Sequence, residues 1–305
     1  MAILVAVLVP TYIYPYAAFT GRAALVLATV AMSVQLMSGT AGLSSLGQAA
    51  FLGVGGYTAV WLSRAGLDNG PLQLAAAAAA GAGAACLCAP LVLRARGVAF
   101  LMVTFAVGEL AHTAASTWVP VTGGDNGLYG SYPTLWPTVP LPTSDLASYL
   151  YLLCCFLVLA GLVALVLRTR FALALRAAAD HEPRLAALGH RVTGTLLAGY
   201  AMAGALAGAG GAMLFSSRIS IAPSDMDFDT SALALLAAAI GGRSLVGAVI
   251  AAVGIVLVRD QLGVDTGGHA QALLGAAFLA VAYRRPVVAW VRARRSAWAV
   301  ARGRR

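Results

Sequence analysis

The chain has 305 residues, of which 60% are hydrophobic and only 10% are charged, with a formal net charge of +9. Soluble globular domains contain about 25% charged residues, so this composition excludes an ordinary soluble enzyme, a disordered chain and a small secreted disulfide scaffold. All 20 basic residues are arginine, and a chain without lysine has neither a Walker-type ATP site nor a Schiff-base lysine.

Ten apolar segments follow one another along the chain, and most have about the 20 residues that cross a bilayer. They lie at 1–19, 22–38, 46–64, 71–93, 98–118, 146–167, 192–215, 229–242, 244–258 and 268–283. Glycines interrupt the third segment at Gly53, Gly55 and Gly56, and Gly241 and Gly242 separate the short eighth and ninth segments. Such glycines indicate either backbone breaks along a pathway or close helix packing. We predict an all-α polytopic membrane protein with about ten transmembrane helices, some broken or short.

The charges are distributed unequally between the connections. With the N-terminus inside, 16 arginines lie on the inner side and four on the outer side, whereas eight acidic residues lie outside and two inside. Cytoplasmic connections are enriched in arginine, so both termini are predicted to be cytoplasmic. The transmembrane domain is expected at 1–290, with a long outer connection at about 119–145, a long inner connection at about 168–191 and a basic cytoplasmic tail at 291–305.

Two groups of polar side chains fall inside apolar segments. Glu109 lies near the middle of segment 98–118, where a carboxylate costs about 3 kcal/mol to insert, and His112 is three residues further on the same helical face. These two either line a pathway or form structural hydrogen bonds and ion pairs. The second group has the same two interpretations, pathway or helix packing, and comprises Ser44, Ser45, Gln48, Tyr57 and Thr58.

The inner connection 168–191 has a helical pattern. Pro183 suits the first turn of a helix, and Gly189 suits its end. A short cytoplasmic helix between spans cannot bury itself in lipid, so this segment is expected to contact a partner protein.

Four stretches together are similar to the permease subunits of bacterial branched-chain amino-acid ABC importers, in their LivM-like branch. The stretches are 39–59, 96–110 with 122–128, 171–190 with 198–213, and 222–228 leading to 241–252. In order and spacing they cover about residues 20–260. The resemblance implies a multi-pass, non-catalytic protein of the bacterial inner membrane.

The resemblance also implies a set of partners and a cargo. The partners would be the lipid bilayer, a second LivH-like permease, two cytoplasmic ATP-binding subunits that hold the ATP, and a periplasmic substrate-binding protein. The cargo would be a branched-chain amino acid or a related small polar solute such as urea or a short amide. The chain itself would need no cofactor and would bind no nucleic acid. The family's ATPase-docking segment carries over to Asp180, Glu182, Arg184, Ala187, Leu188 and Gly189.

On the outer side, one turn-forming group is either ordinary loop structure or a contact for the binding protein. It comprises Thr122, Gly123, Gly124, Asp125 and Asn126. Asp225, Asp227 and Asp229 are interpreted as solvated charges or as partners for arginines of a binding protein, since their spacing does not make a calcium loop.

Other function classes are disfavoured. The sequence has no metal-site spacing and no hydrolase or metalloprotease signature, so neither a metal nor an enzymatic activity is expected. The alternative is a stand-alone secondary transporter or channel. The helical inner connection discriminates between the two, because an ATP-driven importer needs it for coupling and a uniporter does not.

Overall fold

The computed structural model describes residues 17–136, 139–140, 145–189, 191–242, 244–265 and 275. Most of the predicted first span (1–19), nearly all of the tenth span (268–283) and the tail (291–305) lie outside these residues, so the number of ten spans stays a prediction. Residues up to Val256 form one compact unit, and those from Leu257 onward belong to a second.

The described residues contain ten α-helices and four very short strands, which confirms the all-α class. The helices are α1 (Ala17–Gln35), α2 (Gln48–Arg64), α3 (Gly70–Val92), α4 (Val98–Thr117), α5 (Val119–Thr122), α6 (Asp145–Leu167), α7 (Arg170–Ala187), α8 (Val192–Arg218), α9 (Phe228–Gly241) and α10 (Leu245–Asp265). The strands are β1 (Leu128–Tyr129), β2 (Thr134–Trp136), β3 (Val139–Pro140) and β4 (Ser220–Ile221).

Five helical stretches of the described chain are long and apolar enough to cross a membrane. They are Phe19–Thr40, Gly70–Val92, Val98–Thr117, Asp145–Leu167 and Val192–Arg218. At about 1.5 Å per residue, even the 20-residue stretch reaches the thickness of a bilayer core of about 30 Å. Two of the remaining helices, α2 and α9, have only 17 and 14 residues, which confirms that some helices are short.

Helix α8 occupies the centre of the fold and packs against α1, α2 and α3. Its glycines let backbones approach directly: a β-carbon on Gly208 would overlap the carbonyl oxygen of Ala77 in α3, and one on Gly211 would overlap that of Leu52 in α2. Small residues at helix interfaces permit this kind of packing in membranes. The core is therefore built mainly from backbone contacts.

Helix α2 runs without interruption through its three glycines. Gly55 faces the backbone of Gly208, Gly56 faces Ile221, and Gly53 accommodates the side chain of Met226. Of the two interpretations of these glycines, the structure supports close packing, and a break within α2 is wrong. The backbone does break at Gly241 and Gly242, where α9 ends and Gly242 has φ 65°.

The outer faces of α3, α4 and α6 are apolar and exposed. Leu87 is 84% exposed, Leu110 is 73% exposed and Leu165 is 64% exposed. Large exposed apolar patches are rare on soluble proteins, but in a membrane these faces contact lipid or a neighbouring subunit.

Two ion pairs test the sidedness obtained from the charge count. Arg22 and Asp145, both assigned to the outer side, lie 2.9 Å apart, and Arg96 and Glu182, both assigned to the inner side, lie 2.6 Å apart. Each pair therefore joins charges that the sequence placed on the same side of the membrane.

The outer connection is more ordered than a plain loop. Strand β1 pairs antiparallel with β4, with Leu128 opposite Ile221 and Tyr129 opposite Ser220. The guanidinium Nε of Arg64 donates to the carbonyl oxygen of Tyr129 at 3.0 Å. These contacts attach the connection to the outer ends of α2 and α8.

Candidate functional site

Helix α2 begins beside the body of α4 rather than at its end. Helix α1 ends in a π-helical turn, Leu36–Thr40, and residues 41–47 form an irregular segment before α2. The N–H of Leu46 donates to Oγ1 of Thr104 at 3.1 Å. Thr104 lies six residues into α4, about 9 Å along that helix from its start. Because α4 is long and apolar enough to cross a membrane, the irregular segment lies alongside a candidate span, where protein groups rather than water have to satisfy its backbone.

Side chains satisfy the free N–H groups at the start of α2. The N–H of Gly47 donates to Oγ of Ser45 at 3.3 Å, and the N–H of Ala49 donates to Oγ of Ser231, in the first turn of α9, at 3.1 Å. The first turns of α2 and α9 therefore meet. Ser231 was not expected from the sequence, because only the fold brings it to α2.

The five polar residues predicted around α2 have different environments. Thr58 bonds its own helix at the carbonyl oxygen of Val54, and the Ser44 hydroxyl lies 3.4 Å from that of Ser38. Gln48 is fully buried, yet neither its Nε2 nor its Oε1 has a partner among the described residues, and the same is true of the Tyr57 hydroxyl. Buried polar groups are nearly always hydrogen-bonded. Gln48 and Tyr57 are therefore the members of this set with unused hydrogen-bonding capacity.

The polar face of α4 contacts the start of α9. Nε2 of His112 lies 2.9 Å from Oδ1 of Asp227, and the rings of Phe105 and Phe228 pack edge to face with centroids 5.4 Å apart. Glu109, on the same face of α4, is half-buried and has no hydrogen bond or ion pair within the described part of the chain. His112 therefore has its ion-pair partner in Asp227, and Glu109 is the member of the predicted pair whose carboxylate has no partner among the described residues.

Asp225 stabilises the connection between α8 and α9. Its carboxylate accepts from the N–H of Ala222 at 3.0 Å and pairs with Arg218 at 3.1 Å. Burial raises the pKa of Asp225, and the backbone hydrogen bond and Arg218 oppose that shift. Its role is structural, so the interpretation of Asp225 and Asp227 as simply solvated charges is wrong. Among the described residues, no three His, Cys, Asp or Glu side chains form a metal site.

The outer turn is divided between structural and exposed residues. Thr122 is buried and its hydroxyl donates to the carbonyl oxygens of Ala115 and Trp118. Gly123 and Gly124 have φ values of 76° and 63°, which favour glycine. Asp125 and Asn126 are the exposed members of the predicted group. Of that group, only these two have side chains that are available to a partner.

Helix α7 forms the inner connection, and it is bent. His181 has φ −159° and ψ 94°, so the helix consists of two parts that meet immediately before Glu182 and Pro183. Glu182 makes two hydrogen bonds, of 2.6 and 3.2 Å, to the guanidinium of Arg96. The second part, which carries the predicted docking residues from Glu182 onward, is therefore attached to the α3–α4 connection.

Most of the side chains of this second part are exposed. Leu185 is buried against the protein, whereas Leu188 is 78% exposed beyond the end of the helix. Gly189 has φ 83°, which confirms the predicted helix end. Asp180, Arg184 and Ala187 are also exposed.

Comparison with known proteins identifies relatives across nearly the whole chain. Residues 17–282 match the family described as branched-chain amino acid transport system / permease component. The high-affinity branched-chain amino acid transport system permease protein LivM of Salmonella typhimurium is 27% identical over 93% of this chain and 73% of its own length. The LivM protein of Escherichia coli is 26% identical over the same shares. No solved structure matches significantly.

Proposed function

Because this chain belongs to the family of branched-chain amino acid transport system permease components, we propose that it forms part of the membrane pathway of an ATP-driven importer. Its relatives are transport permeases, so it is a permease and not an enzyme. The proposed cargo is a branched-chain amino acid or a related small polar solute such as urea or a short amide. The chain itself holds no cofactor in this proposal, because partner subunits bind the ATP.

The proposed assembly contains a second LivH-like permease, two cytoplasmic ATP-binding subunits and a periplasmic substrate-binding protein. The exposed second part of α7, with Leu188 at its end, supports a contact with an ATP-binding subunit. The exposed Asp125 and Asn126 support a contact with the binding protein on the opposite side. Both termini are proposed to be cytoplasmic, in a bacterial inner membrane.

The observation that carries the pathway proposal is the pair of helix starts beside a polar face of α4. Helix N-termini carry partial positive charge and favour a carboxylate, as in transporters with discontinuous helices. The fully buried Gln48 contributes an amide with no partner among the described residues. Glu109 adds a carboxylate that could attract the ammonium group of a zwitterion.

The test of function is reconstitution of the chain with its co-purified subunits in proteoliposomes. Uptake of radiolabelled leucine is expected to require ATP, the binding protein and this chain together. Equal uptake by the chain alone, without ATP, would instead establish a stand-alone transporter.

The Gln48→Leu variant separates a pathway role from a structural one. Replacing an unsatisfied buried amide by an apolar side chain of similar size is expected to leave thermal stability unchanged or slightly higher. Transport is expected to fall at least tenfold if the amide contacts solute. Melting temperature and initial uptake rate are the two measurements.

Gln73→Leu is the matched control. Gln73 is also buried, but its Nε2 donates to the carbonyl oxygen of Leu67 at 2.9 Å at the outer end of α3. Its replacement should cost about 1 kcal/mol of stability and leave the uptake rate of the folded protein unchanged. A loss of stability without loss of transport in Gln48→Leu would show that Gln48 is structural.

Sidedness is tested by labelling single cysteines. Tyr132 and Ala186 are both exposed, on the proposed periplasmic and cytoplasmic sides respectively. In a variant whose four native cysteines are replaced, an impermeant thiol reagent added to spheroplasts should label Tyr132→Cys and leave Ala186→Cys unlabelled until the membrane is opened. Labelling of both from outside would contradict the proposed topology.

A further inference from the structure

A cavity of about 320 Å³ lies where the inner ends of α1, α6 and α10 meet the first part of α7. This volume is at the small end of the range of about 300–1,000 Å³ for small-molecule sites, which suits a ligand of amino-acid size. The residues that matter for binding are Gln35, Leu36, Thr40, Leu167, Arg176 and Leu245. The cavity is separate from the α2–α4–α9 site described above.

The cavity has one strongly polar side and one apolar side. Arg176 is exposed on the first part of α7 and has no ion pair or hydrogen bond with any residue that the structure describes. Gln35 is 3% exposed; its Nε2 donates to the carbonyl oxygen of Gly242 at 2.8 Å, and its Oε1 has no partner within the described part of the chain. Leucines from α1, α6 and α10 line the remainder.

The helix termini around the cavity carry complementary partial charges. The π-helical turn after α1 ends at Thr40 and α6 ends at Leu167, so two negative helix ends point to this region. Helix α10 begins at Leu245, and its positive end lies on the same cavity. A cation and an anion held on one small molecule therefore both have favourable positions.

We propose that this cavity binds a free amino acid with an aliphatic side chain from the cytoplasmic side. Arg176 binds the carboxylate, Oε1 of Gln35 accepts from the ammonium group beside the negative ends of the α1 turn and α6, and the three leucines contact the side chain. The identity of the ligand and its side of entry rest on the proposed function. The bound molecule joins α7 to α1 and α10.

The consequence is inhibition by imported product. The proposed docking segment follows the first part of α7 directly, so a ligand that bridges the first part to the transport core fixes the base from which the docking segment moves. A rising internal concentration of amino acid then slows further import. No covalent step is involved, and removal of the ligand restores the rate.

The test uses the complete complex in proteoliposomes with the periplasmic side outward. ATP is loaded inside together with different concentrations of unlabelled L-leucine, and the initial uptake of external labelled leucine is measured with ATP hydrolysis. Internal leucine is expected to lower both rates. The Arg176→Gln variant is expected to need at least tenfold more internal leucine for half-maximal inhibition than the unchanged protein. Each inhibited rate is expressed relative to the same protein's rate without internal leucine.

Arg170→Gln is the matched control, because Arg170 is an exposed arginine of the same helix that does not line the cavity. It should retain the inhibition of the unchanged protein. Internal glycine, which lacks an aliphatic side chain, should inhibit at least tenfold less strongly than leucine. Leu245→Trp, which fills the cavity without altering charge, should remove the sensitivity to leucine.

Binding of labelled leucine to the complex in nanodiscs, without ATP or binding protein, keeps the inference independent of transport. Saturable leucine binding that the Arg176→Gln substitution weakens supports the site, whether or not ATP-driven uptake is observed. Failure of ATP-driven uptake would contradict the proposed function and leave this inference intact. Active uptake that ignores internal leucine overturns the inference. So does an Arg176→Gln effect that follows the content of anionic phospholipid rather than leucine, because the cavity would then hold a lipid headgroup.

Discussion

Leu188→Asp is expected to abolish substrate-stimulated ATP hydrolysis and transport while leaving membrane insertion and permease pairing intact. Leu188 is 78% exposed, follows the last turn of α7 and precedes a glycine with φ 83°. As the anchor of the proposed contact with an ATP-binding subunit, Leu188 would contribute about 2 kcal/mol or more to binding. Burying an unpaired carboxylate in the same pocket adds several kcal/mol. Stimulated ATPase activity in nanodiscs is the measurement.

Two variants make this result specific. Leu188→Met keeps an apolar side chain of similar volume and should retain most of the stimulation. Leu173→Asp introduces the same charge at an exposed leucine before the bend at His181, outside the docking segment, and should have a smaller effect. Normal stimulation in a correctly inserted Leu188→Asp complex would contradict the docking role.

Gly208→Leu is expected to prevent folding of the membrane domain. A β-carbon at Gly208 overlaps the carbonyl oxygen of Ala77, and the same glycine faces the backbone of Gly55 and Gly81. Overpacking typically costs about 1–3 kcal/mol where side chains can adjust, and more is expected here because the obstacle is backbone. Fluorescence size-exclusion chromatography should show loss of the monodisperse peak.

Gly161→Leu is the corresponding control within another long helix. Gly161 is exposed in α6, and no atom lies within 4 Å of an added β-carbon. The variant should give the peak of the unchanged protein. Equal behaviour of the two variants would show that the packing of α8 does not limit stability.

The sequence predicted what depends on local pattern. Apolar segments of sufficient length became α3, α4, α6 and α8, because about 20 apolar residues have few alternatives in lipid. The ends at Gly189 and Gly242 were predictable, since both have positive φ and glycine adopts that conformation most easily. The unequal distribution of charges predicted which connections lie on the same side of the membrane, and the Arg96–Glu182 ion pair supports that assignment.

What the sequence did not reveal depends on contacts between distant residues. Asp227 was not assigned to His112, because the two are 115 positions apart and only the packing of α4 on α9 joins them. From the sequence alone, the glycines of α2 were compatible with either a backbone break or close packing. The backbone of Gly208 lies beside Gly55, which shows close packing. The same limit applies to Ser231, whose hydroxyl accepts a hydrogen bond from the start of α2.

The glycine-lined contacts of α8 also restrict how the protein can change shape. Where backbones touch without intervening side chains, no rotamer change can absorb sliding, so α2, α3 and α8 behave as one rigid block. In the proposed transporter, alternation of access would then come from rotation of the surrounding helices about points where the backbone leaves regular helix. Three such points are the segment 41–47, His181 and Gly242. Gly42, in the segment 41–47, approaches Ala179 in α7, the helix that contains His181. A rotation at the segment 41–47 would therefore be felt directly by α7.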